Sequence, residues 1–176
     1  MTETGVRFIH RRGGSREIAD LLQAIFVGEL LAPSRVLYLV SPWISNVSVL
    51  DNRAHSFVSI EPSWTHSEIR LVDVLERLME LGCTVVVATR PDNHNESFLD
   101  ALGNAGERVG VSPEIHQVEE LHEKGFLGDA FFLSGSMNLT YNGISINEER
   151  ISYHTEETVI AHTRGIYADR WGGGRS

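Results

Sequence analysis

Cysteine is nearly missing from this chain: Cys83 is the only one among 176 residues. That count excludes an intramolecular disulfide and a tetrahedral cysteine zinc site, and it fits a reducing cytoplasm. Cys83 lies in an apolar run and reads as a small core residue. Basic charge is scarce too. Fifteen Lys and Arg stand against 24 Asp and Glu, a formal net charge of −9, so bulk attraction to nucleic acid or an anionic membrane is disfavoured and a polyanion would need a locally basic site. No apolar run is long enough to span a bilayer, because residues 18–40, the most hydrophobic stretch, contain Asp20, Glu29, Pro33 and Arg35. The opening Met1-Thr2-Glu3-Thr4 lacks the basic-then-apolar plan of a secretory signal. A cytoplasmic location is therefore expected. Repeats of 20 to 50 residues are absent. His55, His66, His94, Asp51 and Asp92 lack the tight spacing of metal ligands, so neither metal nor cofactor is expected.

What is present is material for a real core. Hydrophobic residues make up 41% of the chain, and a chain of this length can remove roughly 70% of its unfolded surface from water. One domain over residues 1–171 is expected, with the simple ending Gly172-Gly173-Gly174-Arg175-Ser176 as a flexible tail. A short extended piece, Val6 to Ile9, precedes a helix capped by Ser15 and running to about Leu31, with Ile18, Leu21, Leu22, Ile25 and Leu30 on one face. Arg35 to Ser41 and Cys83 to Thr89 read as strands buried on both faces. The helix between them, from Ser67 as cap through Met79 with Gly82 past its end, implies that they run parallel. Asn95 to Leu102 predicts a short helix, and Glu114 to Val118, Leu121 to Leu127 and Ala130 to Leu133 predict strands, the last two as a hairpin. A strand from Glu149 to Tyr153 and a helix from Glu156 to Trp171, capped by Thr155, complete the pattern. The fold class expected is α/β: an α/β/α sandwich with a mixed β-sheet. The connection 42–66 is long for such a fold and carries Trp43, Trp64, Asp51, Arg53, His55 and His66. A substrate-facing or dimer-contact role is expected of it.

The chemistry concentrates in residues 122–149. His122 and Lys124 are two apart, which on a strand turns both side chains to one face, and Asp129 follows on the next turn or strand to balance them. Gly135, Ser136 and Asn138 set a turn, a hydroxyl and a carboxamide at a strand end, where small donors can surround an anion. These are the parts a phosphodiesterase needs. A phosphodiester is anionic and repels anionic nucleophiles, whereas a neutral imidazole can attack phosphorus and leave a phosphohistidine. Lysine and amide donors then hold the non-bridging oxygens. Arg90, at the end of a buried strand, is a candidate for the same surface together with His94. Arg11 and Arg12, in the only basic run, are candidates for a substrate phosphate.

Taken together, His122-x-Lys124, four residues, Asp129, then Gly135-Ser136-x-Asn138 and the run Asn147-Glu148-Glu149 resemble the signature of the phospholipase D superfamily. Ser41-Pro42-Trp43 resembles the family's Ser-Pro-aromatic turn. One departure stands out: five residues separate Asp129 from Gly135 where the family usually has six, which places the Asp at the turn or requires a bulge. The resemblance implies a phospholipase D-like fold. It also implies a metal-independent phosphodiesterase with His122 as nucleophile, Lys124, Ser136 and Asn138 on the phosphate, and Glu149, or Glu148 beside it, orienting the imidazole. Gly135 and Trp43 would border the substrate. Short single-motif members complete one active site by homodimerising, so a homodimer is implied, with the second His122 as general acid. The segments Phe8 to Leu22 and Ser41 to Arg53 are also similar to a phospholipase D-like protein of bacterial clusters that place 7-deazaguanine derivatives in DNA and restrict unmodified DNA. DNA as substrate, a role in restriction and phage defence, and other restriction proteins as partners follow from that likeness. A non-catalytic dimeric DNA-binding or assembly subunit, and a phospholipid hydrolase or transferase, are the alternatives.

Overall fold

A computed structural model describes residues 6–11, 16–145 and 149–173, with the backbone alone for residues 6–11, 145 and 149. In chain order the elements are β1 (Val6–Arg11), α1 (Arg16–Leu31), β2 (Val36–Val40), β3 (Ser48–Asp51), β4 (Glu68–Arg70), α2 (Leu71–Glu80), β5 (Thr84–Thr89), α3 (Asn93–Val109), β6 (Glu114–Gln117), β7 (Gly125–Leu127), β8 (Phe132–Gly135), α4 (Tyr141–Ser145), β9 (Glu149–His154) and α5 (Glu157–Trp171). Seven strands form one sheet in the order β1-β9-β8-β7-β2-β5-β6, and β3 and β4 pair separately. β2, β5 and β6 are parallel. The hairpin β7–β8 and the pairs β8–β9 and β1–β9 are antiparallel, and β7 joins the two halves by running antiparallel to β2. The fold is thus α/β with a mixed sheet between helical layers.

The apolar runs of β2 and β5 explain the layering. Alternate side chains leave opposite faces of a strand, and Leu37, Leu39, Val85 and Val87 pack with Leu22, Phe26, Leu75, Leu78, Phe98 and Leu102 of α1, α2 and α3. Tyr38, Val40, Val86 and Ala88 pack on the other face with Ile160, Tyr167 and Trp171 of α5. Both faces of these strands are therefore covered, which requires continuous rather than alternating hydrophobicity.

Several expected boundaries move, each for a visible reason. The helix expected from Ser67 begins at Leu71, because Glu68–Arg70 pair with β3, and the Asp73 carboxylate accepts the Arg70 N–H at 2.9 Å. The helix expected over 95–102 runs from Asn93 to Val109, capped by Asp92, whose side chain accepts from the His94 N–H. Gly103 and Gly106 do not stop it, because Leu102 and Ala105 bury against the core. The last helix takes Glu156, not Thr155, as its N-cap, without a side-chain cap bond. The connection 42–66 is not structureless: β3 pairs with β4, Trp64 is buried, and the buried Asn52 amide donates to the Trp64 and His66 carbonyls at 2.9 and 2.8 Å. Gly172 and Gly173, placed in a flexible tail by composition, are tied down, since Tyr38 Oη donates to Gly172 O at 2.8 Å and Gly173 N–H to Glu114 at 3.0 Å. Ser15, expected as the cap of α1, lies outside the described residues.

Among the described residues, no helix is long and apolar enough to cross a membrane, and no three His, Cys, Asp or Glu side chains gather as metal ligands would.

Candidate active site

One edge of the sheet collects the candidate residues. The parallel strands β2 and β5 end there, leading into Ser41-Pro42-Trp43 and Arg90, and the antiparallel partners begin or end at the same level: Val40 pairs with Gly125, Gly125 with Ser134, and Gly135 with Ile151. Crevices beyond the carboxyl ends of parallel strands are where α/β folds hold ligands.

His122 and Lys124 precede β7 in an irregular segment, since the expected strand 121–127 is regular only over Gly125–Leu127. The residue between them fixes the chain. Glu123 accepts from Tyr167 Oη at 2.8 Å and pairs with Arg170 at 3.0 Å, both on α5. Lys124 borders a small, mostly apolar pocket with Val40, Phe126, Leu133 and Gly135, and its ammonium donates to the carbonyl of His122 at 2.7 Å. His122 is exposed. A guanidinium nitrogen of Arg90 lies 3.2 and 3.1 Å from its two ring nitrogens.

Two close approaches demand glycine. A Cβ on Gly125 would collide with the Tyr167 hydroxyl, so the backbone of β7 can meet α5 only without a side chain there. Gly135 has φ 152°, and a Cβ on it would collide with the Arg150 carbonyl. That approach lets Ser136 N–H donate to Arg150 O at 3.0 Å while the Ser136 hydroxyl accepts from Arg150 N–H at 3.0 Å. The Gly-Ser pair thereby locks the end of β8 onto the start of β9.

Asn138 reaches the site through Ser41. The buried Ser41 hydroxyl lies 3.2 Å from Asn138 Oδ1 and 2.9 Å from Trp43 O. A hydroxyl has one proton to donate, so Ser41 serves one of the two oxygens at a time. Trp43 in turn donates its indole N–H to Asp92 at 3.2 Å. The His94 N–H first, and the Trp43 indole second, hold the Asp92 carboxyl below the usual carboxylate range. His94 Nε2 meets the Ser45 hydroxyl at 2.9 Å. Beneath these turns sits Asn95, fully buried. Its Oδ1 accepts from Ile44 N–H at 2.8 Å, and its Nδ2 donates to Pro42 O and Arg90 O at 3.0 and 2.9 Å.

The structure thus assembles His122, Lys124, Gly135, Ser136, Asn138, Trp43 and Arg90 around one sheet edge. Asp129 is a correction. It occupies the tip of the β7–β8 hairpin, five residues from Lys124 and so about 16 Å along an extended chain, where it accepts from Arg35 N–H at 3.0 Å and pairs with Arg164 at 2.8 Å. It ties the hairpin tip to the start of β2 and to α5, and does not balance Lys124. Of the remaining candidates, Asn147, Glu148 and Arg12 lie outside the described residues, and Glu149 and Arg11 are placed by backbone alone, opposite one another in the β1–β9 register. Asn95, Asp92 and Glu123 were missing from the candidates. Only Asp92 carried a signal, as an acidic residue before a helix; nothing in the sequence distinguishes a buried Asn stapling two turns from an exposed one.

No protein-family model matches the chain, and no curated protein matches it in sequence. Solved structures do match. Nuc of Salmonella typhimurium, described as a phospholipase D family member, superposes with a TM-score of 0.62 at 13% identity over 97% of this chain and 95% of that one. The phosphatidylserine synthase of Haemophilus influenzae Rd KW20 gives 0.62 at 14% identity, covering 94% of this chain and 36% of that one. TrmBL2, an archaeal chromatin protein whose structure shows a novel mode of DNA binding, gives 0.53 at 12% identity over 96% and 53%. At such identities the likeness is one of fold, and the fold is the one that Nuc, a phospholipase D family member, adopts.

Proposed function

We propose that the chain is a phosphodiesterase of phospholipase D type acting on DNA, with His122 as the nucleophile. The observation that carries this reading is the convergence at one sheet edge of an imidazole and an ammonium from the segment before β7 with an amide from the segment after β8, on the fold that Nuc has. In the first step a ring nitrogen of His122 bonds to phosphorus as the bond to the leaving oxygen breaks, and the leaving oxygen takes a proton from a second, protonated imidazole. Water then attacks phosphorus, giving its proton to that second imidazole, and the P–N bond breaks to return His122 and a phosphate monoester. Lys124 and Asn138 stabilise the charge that gathers on the non-bridging oxygens. The second imidazole is His122 of another copy across a two-fold axis, so the dimer is the catalytic unit. Glu149, with Glu148 as the neighbouring candidate, orients the nucleophilic ring.

The narrower likeness of residues 8–22 and 41–53 to DpdK, of the clusters that insert 7-deazaguanine derivatives into DNA, points to a role in restriction beside other components of such a system. A second reading has support of its own: the same donors would hold a phosphate backbone without cleaving it, on a fold that TrmBL2 also has.

Turnover of bis-p-nitrophenyl phosphate and of oligonucleotides, with EDTA present and phosphatidylcholine vesicles in parallel, tests these readings. Loss of turnover in His122→Ala and a phosphohistidine trapped by alkaline denaturation of the native protein, stable in base and lost in acid, are expected. Unchanged turnover in His122→Ala would refute the mechanism. Salt-sensitive DNA binding without cleavage would establish the second reading, and cleavage of the lipid alone would move the substrate to phospholipids.

A further inference from the structure

Arg90 is a cation held from three sides and, among the described residues, without a carboxylate in ion-pair contact. Its Nε donates to Leu121 O at 2.8 Å, its guanidinium lies over the Trp43 ring at 5.2 Å from the centroid, and its terminal nitrogen touches both nitrogens of His122. The backbone beneath it is pinned as well, because Arg90 O accepts from Asn95 Nδ2. Arg35, Arg77, Arg108, Arg164 and Arg170 each meet a carboxylate within 4 Å. Among the described residues no carboxylate does so for Arg90, although it is half-buried. A guanidinium has donors only and a fork that matches two oxygens of a phosphate, so a partly desolvated one without a carboxylate has unspent capacity for an external anion.

The contact with His122 is also telling. The in-plane bonding directions of the two ring nitrogens, one an N–H and one a lone pair, diverge, so an atom this close to both rests against the face of the ring rather than along either direction. Arg90 therefore bears on the plane of the imidazole, and among the described residues no other side chain bonds the ring nitrogens.

Resting on the reading of His122 as nucleophile, we propose that Arg90 is an oxyanion clamp and positioning residue for the phosphoryl group that reacts there. Trp43 and the Leu121 carbonyl hold the guanidinium, one face of it orients the ring, and its free N–H groups take a non-bridging oxygen. Lysine cannot reproduce this, since a point ammonium cannot bond Leu121 O, stack on Trp43 and reach the anion together.

The test is titration of the full-length native protein with inorganic phosphate, followed by ring-nitrogen NMR of labelled histidine, for the native protein, Arg90→Gln and Arg90→Lys, with Arg108→Gln on the α2–α3 surface as control. Phosphate affinity is expected to fall about tenfold or more in Arg90→Gln, to recover by no more than about threefold in Arg90→Lys, and to stay unchanged in Arg108→Gln, with His122 resonances shifted in both Arg90 variants. Phosphate bound within about twofold of the native affinity by Arg90→Gln, or by Arg90→Lys should the first variant fail to fold, would overturn the clamp. Unshifted His122 resonances would overturn the positioning role. Neither result depends on turnover, so the clamp can fail with His122 still essential, and full turnover in His122→Ala would sink the mechanism without altering the titration.

Discussion

Asn95 supports the candidate site without touching a substrate, and its removal makes a quantitative test of how the site is built. The side chain is fully buried and satisfies three backbone groups, but Asn95→Ala would not strand them equally. Pro42 O also accepts from the Thr89 hydroxyl at 3.1 Å, and Arg90 O from Asp92 N–H at 2.9 Å, so both carbonyls keep a donor. Ile44 N–H, bonded to Asn95 Oδ1, is the group left behind. A buried orphaned donor costs about 1–3 kcal/mol and the vacated volume about 1 kcal/mol more, for a total of about 2–4 kcal/mol. Asn95→Asp keeps the acceptor for Ile44 but turns an anionic oxygen toward two carbonyls, so it is expected to be worse than Ala at neutral pH, the gap narrowing as the pH falls toward about 4 and the carboxyl protonates. Urea unfolding measures both, as a shift in midpoint without a change in slope. Turnover should fall further than the folded fraction, since Trp43 and Arg90 stand on the turns that Asn95 joins. A loss below about 0.5 kcal/mol for Asn95→Ala would refute the reasoning, being within the range of ordinary surface substitutions.

Gly125→Ala is expected to cost about 1–3 kcal/mol by driving a methyl against the Tyr167 hydroxyl; Tyr167→Phe in the same chain should relieve part of that, and strict additivity in the double-mutant cycle would show that the collision is not the cause. Glu29 is buried, and desolvation outweighs its bonds from Ser34 to raise its carboxyl above the ordinary glutamate value. The folded state then holds the proton more tightly than the unfolded one, so this residue's contribution is fully present below the unfolded value and is lost as the pH rises through the folded one. Glu29→Gln should accordingly gain melting temperature over the native protein at about pH 8 compared with about pH 4, and an equal difference at both would contradict it. Burial, and then the charge of Glu29, push the Cys83 thiol up to about 12; Ellman's reagent at about pH 8 should reach it only after unfolding, and rapid stoichiometric labelling of the native protein would count against that burial.

The layered architecture could be read from the chain because its strongest signals are local and unambiguous. Val36–Val40 and Thr84–Thr89 are short, β-branched and apolar throughout, which fits strands covered on both faces, and a helix between them leaves a parallel pair as the economical arrangement. Boundaries failed where tertiary contacts outweighed local preference. Glu68–Arg70 look like the first turn of a helix until β3 claims their backbone, and Gly103 and Gly106 look like an ending until packing carries α3 past them. The candidate site was legible as a set of residue types and spacings, and its assembly at one edge follows from the register. Its supports were not, because Asn95, Glu123 and the Arg90–Trp43 stack are defined by partners 31 to 51 residues away, and no spacing rule encodes such contacts.

The shortened interval between Asp129 and Gly135 shows why spacing and register have to be reasoned about separately. A one-residue slip within β8 would turn every side chain beyond it to the opposite face. No such slip is present: Gly125 faces Ser134 and Leu127 faces Phe132 in unbroken register, and Asp129 falls in the connection Gly128–Phe131, before β8 begins. Asp129 moves with that connection, toward Arg35 and Arg164, while the end of the hairpin that carries Lys124 and Gly135 keeps its alignment. Inserting one residue between Asp129 and Phe131 should therefore disturb the Arg164 pair and stability, while leaving phosphate affinity within about twofold. A loss of phosphate binding out of proportion to the loss of stability would mean that the tip and the site are coupled through the strands after all.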